Sequence, residues 1–217
     1  MRISFILLSF LISASFFAQE VSDPEATRIL SAMKEKFDGY KNIQANFSLS
    51  IEFPEEDPEI QKGILTMARD KYKLDMESQS IYCDGTDIWL HLKNRNEVQI
   101  NTYEDTGDSD IMSPKDLFRI YEQEDYIYAL SNEFVENGIP VQQIEFKPTD
   151  PNSEYSKMRL TLDKKGLNMI RLKAFAKDGS RFTLSVDKFD TNLDMPSSFC
   201  EFDASQFPNI IVEDLRL

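Results

Sequence analysis

From Ala45 to Phe53 the chain alternates without a break: Ala45, Phe47, Leu49, Ile51 and Phe53 are apolar, and Asn46, Ser48, Ser50 and Glu52 between them are polar. A period of two puts successive side chains on opposite faces of a strand, so this stretch reads as a strand with one dry and one wet face. The same alternation returns in "DKYKLDME" (Tyr72, Leu74, Met76), in "SKMRLTLD" (Met158, Leu160, Leu162) and in "SRFTLSVD" (Phe182, Leu184, Val186). Five of the seven glycines stand at the junctions, in Lys62-Gly63, Asp84-Gly85, Asn137-Gly138, Lys165-Gly166 and Asp178-Gly179. Asp-Gly and Asn-Gly pairs supply the positive φ that tight hairpins need. Turns this short join antiparallel neighbours and cannot make parallel crossovers. The expectation is a long antiparallel meander.

Two segments break the period. In "SDPEATRILSAMKEKFDGYKN", Asp23 suits an N-cap, Pro24 the first helical position and Gly39 the stop, while Ala26, Ile29, Leu30, Met33, Phe37 and Tyr40 fall on one stripe. A second amphipathic helix is predicted from "SPKDLFRIYEQ", with Ser113 as cap, Pro114 first, and Leu117, Phe118 and Tyr121 inward. The apolar stripes of both need a partner, and the concave face of a large, strongly curved sheet is the one on offer.

The chain opens "MRISFILLSFLISASFFAQE", one arginine followed by an apolar run to Phe17 and then Ala18-Gln19. That is the layout of a secretory signal peptide over residues 1–18, too short and too abruptly followed by charges to persist as a membrane span. Residues 19–217 then form a single domain of about 200 residues, long enough for one sizeable core. No cysteine lies near the cut, so the mature chain is expected without a lipid anchor there, free in the compartment it enters. The 24 basic and 38 acidic residues give a formal charge of −14. Such a chain is repelled by nucleic-acid phosphates and by anionic headgroups, and stable binding to either is not expected. Export makes a Cys83–Cys200 bridge possible, and buried thiols are the alternative.

Catalytic patterns are missing from the sequence. His91 is the single histidine, no G-x-S-x-G precedes a serine, and no closely spaced glycines could cradle a phosphate. There is no CxxC or Cys/His cluster for zinc, and "YEDTGDSD" lacks the ligand spacing of a calcium loop. His91 alternates with Trp89 and Lys93 on one side of "DIWLHLK", against Ile88, Leu90 and Leu92 on the other. A structural role for His91, no cofactor, no metal and a non-enzymatic function are expected. The rich supply of Phe, Tyr and Met fits two arrangements equally, an ordinary sandwich core or a sheet curled round an apolar cavity.

The order of segments resembles the LolA family, periplasmic carriers that take lipoproteins from the inner to the outer membrane. The matching stretches are "ATRILSAMKEKF", "NIQANFSLSIEF", "KGILTMARDKYKLDM", "CDGTDIWLHLKNRNEVQI", "SPKDLFRIY", "RLTLDKKGLNMIRLKAFAKDGSRFTLSVDKF" and "MPSSFCEFDASQFPNIIVEDLRL", which together span the mature chain. The resemblance implies an α+β fold, an unclosed, strongly curved antiparallel half-barrel with amphipathic helices as a lid over an apolar cavity. It implies a cavity lined by Phe47, Leu49, Ile51, Leu65, Met67, Tyr72, Leu74 and Trp89 from strands and by Ile29, Met33, Phe37, Leu117 and Phe118 from the lid. Arg69 falls at the family's characteristic arginine, associated with holding the lid closed, although Asp70 follows where the family often has proline. The implied partners are acylated lipoproteins, an inner-membrane lipoprotein-releasing transporter and an outer-membrane acceptor, for a monomer that binds no nucleic acid and is not stably membrane-anchored. A carrier answers a physical need: at ~0.8 kcal/mol per CH₂, one long acyl chain costs about 12 kcal/mol to leave in water. Binding of another lipid on the same scaffold is the alternative.

Overall fold

In the computed structural model, residues 22–103 and 126–216 are described. The leader and the helix expected from Ser113, with Leu117, Phe118 and Tyr121, lie outside them. Helix α1 spans Pro24–Asp38. Its start follows the sequence signals: the Asp23 carboxylate accepts from Glu25 N–H at 3.0 Å, and proline opens the first turn. Gly39 ends it with a right-handed φ of −73°, so the stop does not use glycine's left-handed freedom.

Twelve strands follow: β1 Ile43–Glu52, β2 Glu59–Ala68, β3 Lys71–Met76, β4 Gln79–Cys83, β5 Asp87–Leu92, β6 Glu97–Thr102, β7 Tyr126–Glu136, β8 Ile139–Pro148, β9 Tyr155–Asp163, β10 Met169–Ala176, β11 Arg181–Thr191 and β12 Ile211–Asp214. They form one sheet in the order β12-β6-β5-β4-β3-β2-β1-β11-β10-β9-β8-β7. β1 is the seam: it pairs with β2 on one side and β11 on the other, joining the meander β1–β6 to the meander β7–β11. β12 and β7 stand at opposite ends, so the sheet is open. The strand pairs of the two meanders are antiparallel as expected, but β12 returns to lie parallel to β6, because the C-terminal segment crosses the sheet before pairing.

The turns show which glycines are conformational. Asn137-Gly138 joins β7 to β8 with φ of 51° and 82°, the doubly positive pair of a two-residue hairpin. Gly85 and Gly179 also have positive φ. Gly63 does not turn the chain at all: it lies inside β2, opposite Phe47, whose ring occupies the space a Cβ would need. The β2–β3 turn contains no glycine, and Arg69 takes the positive φ, 56°.

The open edge at β7 is partly covered by the residues that lead into α1. Asp23 N–H donates to the Tyr128 carbonyl at 2.8 Å, Tyr128 N–H donates to the Ser22 hydroxyl at 3.3 Å, and Leu130 N–H donates to the Asp23 carboxylate at 3.1 Å. The hydrogen bonds from Leu130 and Glu25 hold the Asp23 carboxyl below its usual range, so one side chain both caps α1 and ties it to the edge strand. At the other end of α1, Lys36 Nζ donates to the Gly166 carbonyl and to Asn168 Oδ1, and Phe37 packs on Phe189 at 5.5 Å between ring centroids. Cys83 and Cys200 are both buried and are not joined in a disulfide, so they stand in the structure as buried thiols.

Candidate functional site

Register assigns each side chain to a face, because directly paired residues lie on the same side of a sheet. One row runs Ala45–Leu65–Leu74–Ile81–Leu90 across β1 to β5, and the row beside it Ile43–Met67–Tyr72–Cys83–Ile88. Across the seam the same face continues as Leu49–Leu184–Leu172–Leu160–Ile144 and as Ile51–Phe182–Ala174–Met158–Phe146–Tyr128. The alternations read from the sequence therefore all present their apolar side to one face. The α1 stripe of Ala26, Ile29, Leu30, Met33 and Phe37 is buried in a single cluster with it.

Of the residues expected to line a cavity, Phe47, Leu65, Met67, Tyr72 and Leu74 are buried on this face, and Ile29, Met33 and Phe37 are buried on the helix above it. Leu49 packs partly buried against the same cluster, and Ile51 shares the face by register. Trp89 does not. It pairs with Tyr82 and Ile100, and its strand turns Ile88, Leu90 and Leu92 toward α1, so the indole lies on the opposite face. The physical reason is that β5 carries apolar residues on both sides, and the aliphatic set took the dry face.

Sequence reasoning passed over much of the β8–β10 half, where Ile144, Phe146, Met158, Leu160, Leu162, Met169 and Leu172 are all buried. The alternation of Met158, Leu160 and Leu162 was the available signal. "VQQIEF" hides it, because Gln142 sits buried on the apolar face.

Where the C-terminal end of α1 approaches β2, a cleft of about 290 Å³ is lined by Phe37, Tyr40, Ile43 and Met67 together with Asp38, Lys41, Asn42, Arg69 and Asp70. Arg69 stands at its mouth by virtue of its place in the β2–β3 turn. Apolar and charged side chains thus line the cleft together.

The face that carries Trp89 is organised around His91. The ring is 4 % exposed, and Phe207 and Phe202 from the C-terminal segment lie at 4.5 and 5.3 Å between centroids, themselves stacked at 5.1 Å. Beneath it Ser80 Oγ and Lys93 Nζ each donate to Asp75 Oδ1 at 2.6 Å. Burial first, and then the Lys93 charge, lower the His91 pKa below its ordinary 6.5. The folded state thus resists protonation of His91 more than the unfolded chain does. Its full contribution to stability is present above pH 6.5 and is lost as the pH falls through 6.5, levelling off below the folded-state value. Denaturation midpoints taken across this range should fall toward acid in the native protein, and the slope should shrink in His91→Phe; an unchanged slope would mean that His91 does not titrate in this setting.

No family model matches the sequence, and neither does any curated protein. Solved structures do match. An uncharacterised conserved protein from Thermus thermophilus superposes with a TM-score of 0.59 at 11% identity, covering 88% of this chain and 99% of that one. Lipoprotein LppX of Mycobacterium tuberculosis superposes with a TM-score of 0.50 at 11% identity, covering 81% of this chain and 100% of its own. A LolA superfamily protein from Nitrosomonas europaea matches more loosely, with a TM-score of 0.39 at 13% identity over 80% of this chain and 98% of that one. Identities in this range speak to architecture and not to ligand. What these likenesses carry is the fold alone: like the Thermus thermophilus protein and LppX, this chain is an open sheet, with a helix on its apolar face.

Proposed function

We propose that this chain is an exported carrier, not an enzyme, that holds the acyl chains of lipoproteins against the apolar face of its sheet and carries them from the inner to the outer membrane. The observation that supports the reading most is the way α1 lies on that face. The sheet is open, apolar rows on both sides of the seam share one face, and the helix stripe buried with them is held at its ends by Asp23 and Lys36. An acyl chain and the α1 stripe would compete for the same surface. A carrier needs that competition, since its grip on cargo must be offset by the cost of moving the lid if it is to let go. No helix among the described residues is long and apolar enough to cross a membrane.

The decisive experiment is native mass spectrometry of the protein purified gently from its own compartment. Triacylated lipoprotein bound at about one per chain is the expected result. Free phospholipid would shift the reading to another lipid on the same scaffold, and no bound lipid together with no extraction of lipoprotein from membranes would reject it.

Arg69 is the proposed gate, at the rim of the cleft beside the C-terminal end of α1. A non-glycine residue at positive φ costs about 1 kcal/mol, so Arg69→Gly should leave the β2–β3 turn as stable as before or firmer. The same change should speed the loss of bound acyl probe, because the guanidinium at the cleft is gone while Asp38 and Asp70 remain. A variant that melts no lower and releases the probe at the native rate would reduce Arg69 to a turn residue.

A further inference from the structure

The face opposite α1 is expected to be the polar, solvated side of the sheet, and across β8–β11 and β1–β2 it is polar in an uneven way. One row runs Glu145–Arg159–Lys173–Thr183–Ser50–Ile60, and a second runs Gln143–Thr161–Arg171–Ser185–Ser48–Lys62. A third runs Lys157–Phe175–Arg181–Glu52. Six cations thus share the face. Among the described residues their carboxylate partners are three: Glu145 takes Lys157 at 3.0 Å and Arg159 at 2.9 Å, Glu136 takes Arg171 at 3.0 Å, and Glu52 stands 3.7 Å from Lys173 and 4.0 Å from Arg181. The face also carries Lys188, opposite Asn46, and two further carboxylates, Asp190, opposite Gln44, and Asp187, which accepts from Ser48 Oγ at 3.4 Å beside Lys62, so its positive excess is small, on a chain whose formal charge is −14. At the centre, Lys157, Arg159 and Lys173 lie 5.4, 5.5 and 5.6 Å from the Phe175 ring.

Apolar residues extend the same face. Ile60 is 65 % exposed and Ile64 39 % exposed, flanking Lys62 on β2, and the register places both with Ser50 and Asn46 on this side. Exposed aliphatic side chains beside spread cations are what a bilayer interface rewards: the ammonium and guanidinium groups meet anionic headgroups while the isoleucines enter the boundary below them. The cations are distributed over β9, β10, β11 and β2 in place of one pocket. Such an array matches a continuous charged surface better than a single acidic group.

We infer that this outer sheet face is a reversible docking surface for an anionic bilayer, which orients the protein with the α1 side away from the membrane plane. The net negative charge elsewhere repels the same membrane, so this face is the one the field selects and the attachment is weak and sensitive to salt. It does not depend on what the apolar side carries.

The test is co-sedimentation of the purified protein with vesicles of phosphatidylcholine containing about one third phosphatidylglycerol, and with phosphatidylcholine alone, at low and at physiological ionic strength. Binding is expected to the anionic vesicles and not to the zwitterionic ones, weakening as salt rises. The double variant Lys62→Glu, Lys173→Glu should partition at least about tenfold more weakly, since each cation near such a surface contributes roughly a fivefold factor. Arg28→Glu with Arg95→Glu changes the net charge equally on other parts of the surface and should bind like the native protein. Ile60→Ser with Ile64→Ser should lose the part of the binding that survives high salt. Three outcomes would overturn the inference: no native binding to anionic vesicles at low salt, equal losses in the two charge-reversal variants, or capture of an acidic protein by this face with no vesicle binding. None of them bears on lipid found by mass spectrometry inside the protein, so a failure on this side leaves the carrier reading standing.

Discussion

Phe146→Ala is expected to destabilise the protein by about 3–5 kcal/mol, measured by urea denaturation at neutral pH. Phe146 lies on β8 on the face that α1 covers, is fully buried, and sits opposite Met158. Tyr128 packs against its ring at 5.6 Å and Tyr126 meets it edge-on at 6.3 Å between centroids. Truncation removes the transfer energy of the ring and leaves a cavity whose walls are held by sheet hydrogen bonds and cannot collapse inward. A domain whose total stability is of order 5–15 kcal/mol would lose a large share of it. The neighbouring tyrosines belong to the edge strand where Ser22 and Asp23 dock, so the loss should also loosen the start of α1. A change below about 1 kcal/mol would mean that this half of the sheet is packed less tightly than its burial indicates.

Gly63→Val should cost about 1–3 kcal/mol, although valine is the better strand former. A Cβ at Gly63 would lie 2.6 and 2.9 Å from two atoms of the Phe47 ring and 3.0 Å from the Asp75 carbonyl oxygen. The ring cannot swing away cheaply, because Phe47 is buried in the same cluster as the α1 stripe. Aromatic cover over a strand glycine recovers packing that the missing side chain would have supplied, and it also fixes the register of β1 against β2. Phe47→Leu made together with Gly63→Val should recover part of the loss, since it removes the colliding atoms. Additive costs in the double variant would show that the collision with the Asp75 carbonyl dominates.

These two positions also show how far the sequence could be read. Phe47 was legible: its alternation with Ser48 and Asn46 announces a strand and puts it on the apolar side. Gly63 was misread as a turn because Lys-Gly resembles the other junctions, and nothing local separates a glycine that bends the chain from one that makes room for a ring. The turn at Arg69 was hidden for the converse reason, a positive φ carried by a residue that does not advertise it.

Periodicity and composition determined that this chain is a mainly antiparallel sheet with one dry side, and that α1 is capped by Asp23 and buries the Ala26-to-Phe37 stripe. These are local properties, set by the two-residue and 3.6-residue repeats that side chains obey wherever the strand or helix later docks. Tertiary structure decided which side of each strand joins its neighbours' dry side. Trp89 and His91 went to the outer face because β5 could turn Ile88, Leu90 and Leu92 inward, and His91 became buried when the C-terminal segment brought Phe202 and Phe207 over it. The same non-local pairing gathered cations from β2, β9, β10 and β11 into one field that no stretch of the sequence displays, because register between distant strands, and not spacing along one of them, sets which charges become neighbours.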